Sequence, residues 1–212
     1  MKTLKKILRI TGLAFFLLLL CYGFFIRSLL MHWGASATEI NRSYPGDKFI
    51  TDPGYENILA ITINRPPSRV WPWLAQMGLD KAGFYSYTWL ENMFGCDLHN
   101  ANEIHAEWQF PKVGDRETVC RVAERKQMPG WMVMRVESPK MLVYRSVSDS
   151  SWMMGFYIDS VTAHQSRLIT RMRYVTPHKF WSFIADKACM EWVHCVMQRG
   201  TLNGIKQRAE YN

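Results

Sequence analysis

The sequence predicts an α+β domain in which a curved antiparallel sheet wraps around a long C-terminal helix, preceded by an N-terminal transmembrane helix. Three patterns support this fold class: an uncharged apolar run near the N-terminus, several segments with strand-like alternation, and a helical repeat over 178–209. The chain has 212 residues, of which 48% are hydrophobic, enough to enclose one sizeable core. We expect an anchor at 1–30, a linker at 31–55 and one domain at 56–212.

The predicted anchor is the run from Ile10 to Ile26, which holds 17 residues without a charge. At about 1.5 Å per residue it reaches roughly 25 Å, near the lower limit for crossing a bilayer. Four basic residues precede the run: Lys2, Lys5, Lys6 and Arg9. Only Arg27 follows it closely, so we expect a cytoplasmic N-terminus and an extracytoplasmic domain. The rival interpretation is a cleaved signal peptide, because Ala35-Ser36-Ala37 has the small-x-small form of a cleavage site.

The net charge of +8 comes largely from this anchor region. Five basic residues and no acidic residue precede position 31, and 8 minus 5 leaves +3 for the rest of the chain. The basic balance therefore indicates a membrane signal and predicts no nucleic-acid partner.

The domain contains four cysteines whose spacing matches no zinc or redox motif: Cys96, Cys120, Cys189 and Cys195. An oxidising compartment would permit two disulfides with three possible connectivities, whereas buried free thiols are the simpler interpretation. Cys189 and Cys195 point in different directions on one helix, so we do not expect them to pair with each other.

Period-two alternation predicts the strands. Leu59, Ile61 and Ile63 alternate with smaller or polar residues until Pro66-Pro67 ends the pattern. Further strand signals, typical of an antiparallel meander, occur near 117–122, 131–137, 142–147, 151–158 and 167–175. In the last segment three arginines share one face, which we expect to be wet: Arg167, Arg171 and Arg173. With Arg199, Lys206 and Arg208 of the last helix they could meet anionic lipid headgroups; an ordinary solvated face is the alternative.

Helical spacing predicts two short helices, over 68–77 and 86–94, each ended by a glycine, and a long terminal helix. The predicted apolar stripe of the terminal helix consists of Trp181, Ile184, Ala188, Trp192, Cys195 and Val196. Gly200 and Gly204 interrupt this helix. The pair indicates either close approach of another element or a break in the helix.

Short motifs run from about residue 33 to residue 210. They are Trp33-Gly34-Ala35, Pro45-Gly46-Asp47, Val70-Trp71-Pro72-Trp73-Leu74, Gln76-Met77-Gly78, Gly83-Phe84-Tyr85-Ser86-Tyr87, Trp89-Leu90-Glu91-Asn92, Ile104-His105, Glu107-Trp108-Gln109, Val113-Gly114-Asp115 and Gly204-Ile205-Lys206-Gln207-Arg208-Ala209-Glu210. With the order of elements, they resemble the START/Bet v 1-like superfamily, also called SRPBCC or polyketide cyclase-like, and within it a membrane-anchored branch. The resemblance implies a helix-grip fold with a cavity between sheet and helix. The superfamily includes lipid carriers, hormone receptors, cyclases and chaperone cofactors, so it implies no single reaction.

Four residues are candidates for acid–base catalysis: Tyr85, Tyr87, Glu91 and His105. Tyr87 and Glu91 are four apart on one helix face, so a phenol and a carboxylate could act on one ligand group; a packing and capping cluster is the alternative. His105 and Glu107 alternate along an extended chain without a Pro-Cys-x-x-Cys segment, and we predict no metal site. Neither a Gly-rich phosphate loop nor a nucleophile elbow occurs, and we predict no cofactor.

The chain is rich in side chains suited to adaptable apolar pockets, with 9 Trp, 11 Phe and 13 Met. We expect the ligand cavity to be lined by Trp89, Trp131, Met134, Trp152, Met154, Phe156, Met172 and Trp192. The expected partners are the membrane and a lipid or other hydrophobic small molecule bound in that cavity. The alternatives are an enzyme acting on such a ligand (a cyclase, dehydratase or hydrolase) and a protein-interaction domain with a filled core.

Overall fold

The computed structural model describes residues 6–7, 9–14, 17, 22–93, 95–120, 130–147 and 151–211. Its strands are β1 Tyr55–Ile63, β2 Arg116–Glu117, β3 Trp131–Glu137, β4 Met141–Ser146, β5 Trp152–Thr162 and β6 Gln165–Tyr174. Its α-helices are α1 Arg27–Met31, α2 Ala37–Asn41, α3 Pro67–Ala75, α4 Thr88–Met93, α5 Phe180–Ala185 and α6 Glu191–Tyr211. Two π-helical turns, Tyr22–Ile26 and Asp186–Met190, lead into α1 and α6.

The strands form one antiparallel sheet in the order β1-β6-β5-β4-β3-β2. Strands β2 to β6 form the predicted meander, and β1 closes the far edge by pairing with β6, from Tyr55 opposite Tyr174 to Ile63 opposite Ser166. This sheet and the long C-terminal helix confirm the α+β class and match the helix-grip arrangement. The strand predicted over 117–122 is reduced to β2, and residues 121–129 are not among those described.

The predicted anchor lies partly outside the described residues, because the run from Ile10 to Ile26 includes 15–16 and 18–21. Among the residues that the structure describes, none of the helices has the length and apolarity needed to span a bilayer. The transmembrane helix therefore stays a prediction.

The terminal helix is continuous from Phe180 to Tyr211, with the π turn between its two α-helical parts. Its buried stripe is Glu191, Cys195, Gln198, Leu202, Ile205 and Ala209. The predicted stripe was wrong except at Cys195, since Trp181 is 79% exposed and Trp192 is 36% exposed. The prediction followed the large aromatic residues of this segment. The positions that face the sheet include two polar residues, Glu191 and Gln198, so an apolar pattern does not mark them.

Gly200 and Gly204 lie inside α6 and allow another segment to pack directly against its backbone. A Cβ on Gly200 would lie 2.6 Å from Ser86 Oγ, and a Cβ on Gly204 would lie 2.8 Å from Tyr85 Cβ. Both distances are shorter than real Cβ contacts, so a larger residue would force the chains apart. Of the two predicted explanations for the glycine pair, close approach is confirmed.

The outer face of the sheet is covered by the segment 33–50, contrary to the expectation of a wet face. Tyr44 and Ile50 of this segment are buried against apolar side chains of the sheet. The arginines of β6 bind carboxylates at N···O distances of 2.6–2.8 Å: Arg167 with Glu39, Arg171 with Asp47 and Arg173 with Glu56. They are therefore occupied within the domain, and the predicted contact with lipid headgroups is wrong for them. The predicted linker lies on the domain surface and adds buried side chains to it.

Cys96 and Cys120 form a disulfide between the chain after α4 and the chain after β2. The interpretation as free thiols was wrong for this pair, because contacts across the fold decide pairing and sequence spacing does not show them. Cys189 and Cys195 are free, the first exposed and the second buried.

Candidate functional site

A group of polar side chains lies in the interior where the terminal helix leaves the π turn and crosses the inner face of β1 and β6. We call it the π-turn cluster: Tyr55, Asn57, Tyr174, Asp186, His194 and Cys195. Tyr55 and Asn57 both point inward because strand side chains alternate, and Tyr174 lies opposite Tyr55 in the sheet register. Asp186 opens the π turn, an irregularity that is frequent at functional sites.

Hydrogen bonds join these side chains into two groups. On β1, Asn57 Nδ2 donates to Tyr55 Oη at 2.8 Å, and Tyr55 Oη lies 3.3 Å from Cys195 Sγ. On β6, Tyr174 Oη donates to Asp186 Oδ1 at 2.7 Å. The π turn is thereby fastened to the end of β6 through a buried hydrogen bond between a phenol and a carboxylate.

Aromatic rings form the walls of the cluster. Trp152 stacks on Tyr174 with ring centroids 5.0 Å apart, and Tyr174 stacks on Tyr55 at 4.4 Å. The ring of His194 stands edge-on to Trp152, 4.7 Å away. The predicted cavity residue Met172 is buried beside them and accepts from Gln198 Nε2 at 3.3 Å. The polar atoms therefore lie within a largely apolar, aromatic surrounding.

Three buried polar atoms of the cluster have no hydrogen-bond partner among the described residues: Asn57 Oδ1, Asp186 Oδ2 and His194 Nδ1. Lys187 Nζ approaches Asp186 Oδ2 only to 3.8 Å. A buried polar atom without a partner costs about 1–3 kcal/mol, so native structures hold few of them and each calls for an explanation. Three in one cluster indicate a place where polar groups of a bound molecule can be satisfied.

Burial sets the protonation states of the cluster. It lowers the pKa of His194 to about 4, although the charge of Glu191 acts in the opposite direction. Burial also raises the pKa of Cys195. Glu191 itself is fully buried and holds Arg27 at 2.8 Å and Lys187 at 2.5 Å. Near neutral pH the cluster thus presents a neutral imidazole and a neutral thiol.

The predicted catalytic residue Tyr85 belongs to a separate, fully connected network around Gln76. Tyr85 Oη accepts from Gln76 Nε2 at 2.9 Å, and Gln76 Oε1 accepts from the backbone N–H of His105 at 3.0 Å and from Gln109 Nε2 at 3.1 Å. Tyr85 has a left-handed backbone, with φ of 58°, and Asn100 Oδ1 accepts from its N–H at 2.8 Å. This Tyr85 network joins several predicted motifs into one structural unit.

The four acid–base candidates do not converge. Tyr87 is 38% exposed, and His105 Nδ1 lies 3.6 Å from Glu107 Oε1 near the surface. Glu91 is half-buried, and burial raises its pKa to about 7. Within the described part of the chain, no hydrogen bond or ion pair joins the side chains of any two candidates. Their arrangement gives structural roles to Tyr85 and His105 and forms no acid–base pair.

The predicted cavity residues are dispersed over the domain. Trp152 and Met172 lie at the π-turn cluster, and Met154 and Phe156 are buried in the core. The others lie nearer the surface: Trp131 and Met134 are half-buried, and Trp89 and Trp192 are exposed. Two surface depressions of about 430 and 450 Å³ are lined by none of these eight residues; the first lies between α3 and Asn102-Glu103-Ile104.

Sequence reasoning missed Asn57, Asp186 and His194, the residues with unpartnered atoms. A signal for Asn57 was present, because the alternation that includes Leu59 extends back to Asn57 and Tyr55 and gives a polar residue at an inward position. No sequence pattern marked Asp186 as an inward residue, because its inward position depends on the π turn.

No protein-family model and no curated protein was found to match this sequence. Solved structures do match. A Bacillus halodurans protein is 13% identical with a TM-score of 0.49, covering 74% of this chain and 99% of its own. A polyketide cyclase-like protein from Corynebacterium glutamicum is 15% identical with a TM-score of 0.37, covering 72% and 89%. The Aha1 dimer from Colwellia psychrerythraea is 12% identical with a TM-score of 0.41, covering 74% and 97%.

At these identities and TM-scores the similarity identifies no ligand and no reaction. The fold of this chain is defined by its own topology, a six-stranded antiparallel sheet with a long C-terminal helix.

Proposed function

We propose that this protein is a membrane-tethered module that binds a lipid or other hydrophobic small molecule between its sheet and its terminal helix, at the π-turn cluster. The observation that carries this proposal is the group of three unpartnered polar atoms within aromatic walls. Binding sites for small molecules typically combine a mostly apolar lining with a few polar groups that orient the ligand. The cluster has this composition.

The chemistry of the cluster favours an amphipathic ligand. The stacked rings of Trp152, Tyr174 and Tyr55 offer apolar contact, while Asn57 and Asp186 offer hydrogen bonds. A ligand that supplies both kinds of contact removes the cost of the unpartnered atoms, which a purely apolar molecule does not.

Access to the cluster requires movement of the helical segment before α6. Helix α5 has no buried residue, and the π turn that follows it buries only Asp186. The bond between Tyr174 and Asp186 fastens this segment to the sheet. Few buried contacts mean a small free energy of local opening, so we expect α5 and the π turn to swing outward and admit the ligand.

The disulfide between Cys96 and Cys120 supports the proposed location outside the cytoplasm. Structural disulfides are rare in the reducing cytosol and common in secreted or periplasmic domains. Together with the apolar run from Ile10 to Ile26 and the basic residues before it, the disulfide favours a domain held at the outer surface of the membrane.

The two alternative functions have less support from the geometry. For an enzyme with an acid–base pair, two such groups should converge, and no hydrogen bond or ion pair among the described residues joins the side chains of Tyr85, Tyr87, Glu91 and His105. For an interaction domain with a filled core, the interior has no need for unpartnered polar atoms, whereas the π-turn cluster contains three.

The test is native mass spectrometry of the full chain, purified from its membrane in mild detergent and ejected intact. We expect a bound amphipathic species, with occupancy lowered severalfold by Asn57→Leu and by His194→Phe. Asn203→Ala, on the exposed face of α6, is the matched control and should keep the ligand. A folded wild-type protein without any adduct, also after incubation with lipids extracted from the source membrane, would refute the proposal.

A further inference from the structure

The start of the terminal helix exposes a dense set of large apolar side chains. In α5, Phe180 is 66% exposed and Trp181 is 79% exposed, and Phe183 and Ile184 are also exposed. None of the residues of this helix is buried. A surface helix of a soluble domain normally directs its aromatic residues to the core, so a helix that turns all of them outward indicates a surface with an apolar partner.

The direction of this surface follows from the contacts between the N-terminal helical segment and α6. Arg27 Nε lies 2.8 Å from Glu191, and Met31 Sδ lies 3.8 Å from Cys195 Sγ. One helical turn separates Arg27 from Met31 and also Glu191 from Cys195, so the two helices run parallel here. Tyr22, earlier still, stacks on Trp192 at 5.2 Å.

Because the helices run parallel, α5 lies on the side of the domain toward which the N-terminal segment extends. Trp181 precedes Glu191 by ten residues, about 15 Å along the helix axis at 1.5 Å per residue. Ile26, which precedes α1 on that side, is exposed, and Ile10, Leu13 and Leu17 earlier in the chain are exposed as well. Apolar residues of α5 and of the turn before α1 are thus exposed on the same side of the domain.

We infer that α5 is a second membrane contact, which inserts Phe180, Trp181, Phe183 and Ile184 into the lipid interface beside the N-terminal helix. This inference rests on the proposed membrane tether. Tryptophan and phenylalanine are typical of helices that lie in the interface, and basic residues flank such helices. Here Lys179 precedes α5, whereas Lys187 after it is bound to Glu191. A lipid surface fits this composition better than a protein partner, because it meets the apolar residues and the flanking Lys179 at different depths.

The contact also gives the proposed binding site its access route. Helix α5 joins directly to the π turn, whose Asp186 binds Tyr174 of the cluster. Insertion of α5 into lipid would pull on this turn and open the cluster toward the membrane, from which an amphipathic ligand comes. The tether holds the domain at the membrane, and α5 directs its opening.

The experiment measures depth in the bilayer by nitroxide accessibility in the full chain, reconstituted into vesicles of palmitoyl-oleoyl phosphatidylcholine. A nitroxide is attached through Trp181→Cys in a background with Cys21→Ser and Cys189→Ser, leaving the disulfide and the buried Cys195 in place. Phe180→Cys provides a second position in α5. Asn203→Cys is the matched exposed control on α6, and Leu13→Cys reports on the tether. Collisions with oxygen and with a water-soluble nickel chelate are compared.

We expect the ratio of oxygen to nickel accessibility at positions 180 and 181 to be severalfold higher than at 203 and close to that at 13. A water-like ratio at 180 and 181 with a lipid-like ratio at 13 overturns the inference and leaves the tether intact. Water-like ratios at all four positions refute the tether itself. Dipolar broadening at 181 with low accessibility to both reagents shows contact with a second copy, which also overturns the inference.

Discussion

The two ends of the terminal helix are held against the domain in opposite ways. Toward the C-terminus, Gly200 and Gly204 bring the helix backbone against Tyr85 and Ser86, and the polar groups around Gln76 are paired with one another. Toward the N-terminus, the π turn and α5 bury little, and the π-turn cluster holds three unpartnered atoms. The difference separates a rigid end that fixes the helix from an adaptable end suited to binding.

The largest expected effect is at the rigid end. Gly204→Ala places a Cβ against the backbone of Tyr85, which cannot rotate away as a side chain would, so we expect a loss of at least about 3 kcal/mol of unfolding free energy. Asn203→Ala, one position earlier on the exposed face, should change it by less than about 0.5 kcal/mol. Denaturant titration in detergent measures both. An equally stable Gly204→Ala variant would show that the close approach does not hold the helix.

Removal of the disulfide should loosen the same end. The bond joins residues 24 apart, and a closed loop of that length stabilises by about 3 kcal/mol in the chain-entropy account. For Cys96→Ser with Cys120→Ser we therefore expect a loss of that order and faster hydrogen exchange around Tyr85. Exchange around His194 should not change. Faster exchange at both places would mean that the two ends open together.

A matched pair of amide substitutions compares the two ends directly. Gln76→Leu leaves Tyr85 Oη and the N–H of His105 without their partner and should cost about 2 kcal/mol. Asn57→Leu removes an amide whose oxygen has no partner and should cost less than about 1 kcal/mol, although we expect it to lower ligand occupancy severalfold. Thermal unfolding and lipid occupancy are measured on the same preparations. A larger stability loss for Asn57→Leu would contradict the assignment of the binding site.

The smallest effect concerns pH. Burial lowers the pKa of His194 from an ordinary 6.5 to about 4, so its contribution to stability is lost as the pH falls from 6.5 to 4. Burial raises the pKa of Glu91 from 4.5 to about 7, so the folded state loses stability as the pH rises through that range. In a plot of unfolding free energy against pH, His194→Gln should reduce the loss of stability toward acid pH, and Glu91→Gln should reduce the loss toward neutral pH. Each change should be on the order of 1 kcal/mol after screening by solvent. Unfolding titrations from pH 4 to 8 test both signs.

The sequence predicted the order of elements and the antiparallel meander because both depend on local periodicity. It failed where contacts between distant segments decide the outcome. The face of Arg167, Arg171 and Arg173 looks wet in isolation, and it is covered because Glu39, Asp47 and Glu56 provide carboxylates for it. The pairing of Cys96 with Cys120 is likewise a property of the folded chain.

The candidate site was less predictable than the fold. The sequence favoured aromatic residues as the lining, and Trp152 and Met172 do lie at the π-turn cluster. Trp192 is exposed, because the extra residue of the π turn rotates the side chains that follow relative to a regular helix. Trp89, on the separate helix α4, is exposed as well. Acid–base candidates were sought in the conspicuous aromatic motif around Tyr85, whereas the unpartnered atoms belong to residues that stand alone in the sequence.

The covering segment on the outer face has a consequence for how far the domain can move. The backbone carbonyl of Trp33 accepts from the N–H of Ala60 at 3.0 Å, Tyr44 and Ile50 are buried, and Arg27 binds Glu191. The chain between α1 and β1 is therefore packed against the domain and does not act as a flexible linker. If the proposed tether holds α1 at the membrane, the domain stays close to it, because this connection has none of the reach of a long flexible linker. A ligand bound as proposed would then exchange only with molecules that reach the membrane surface.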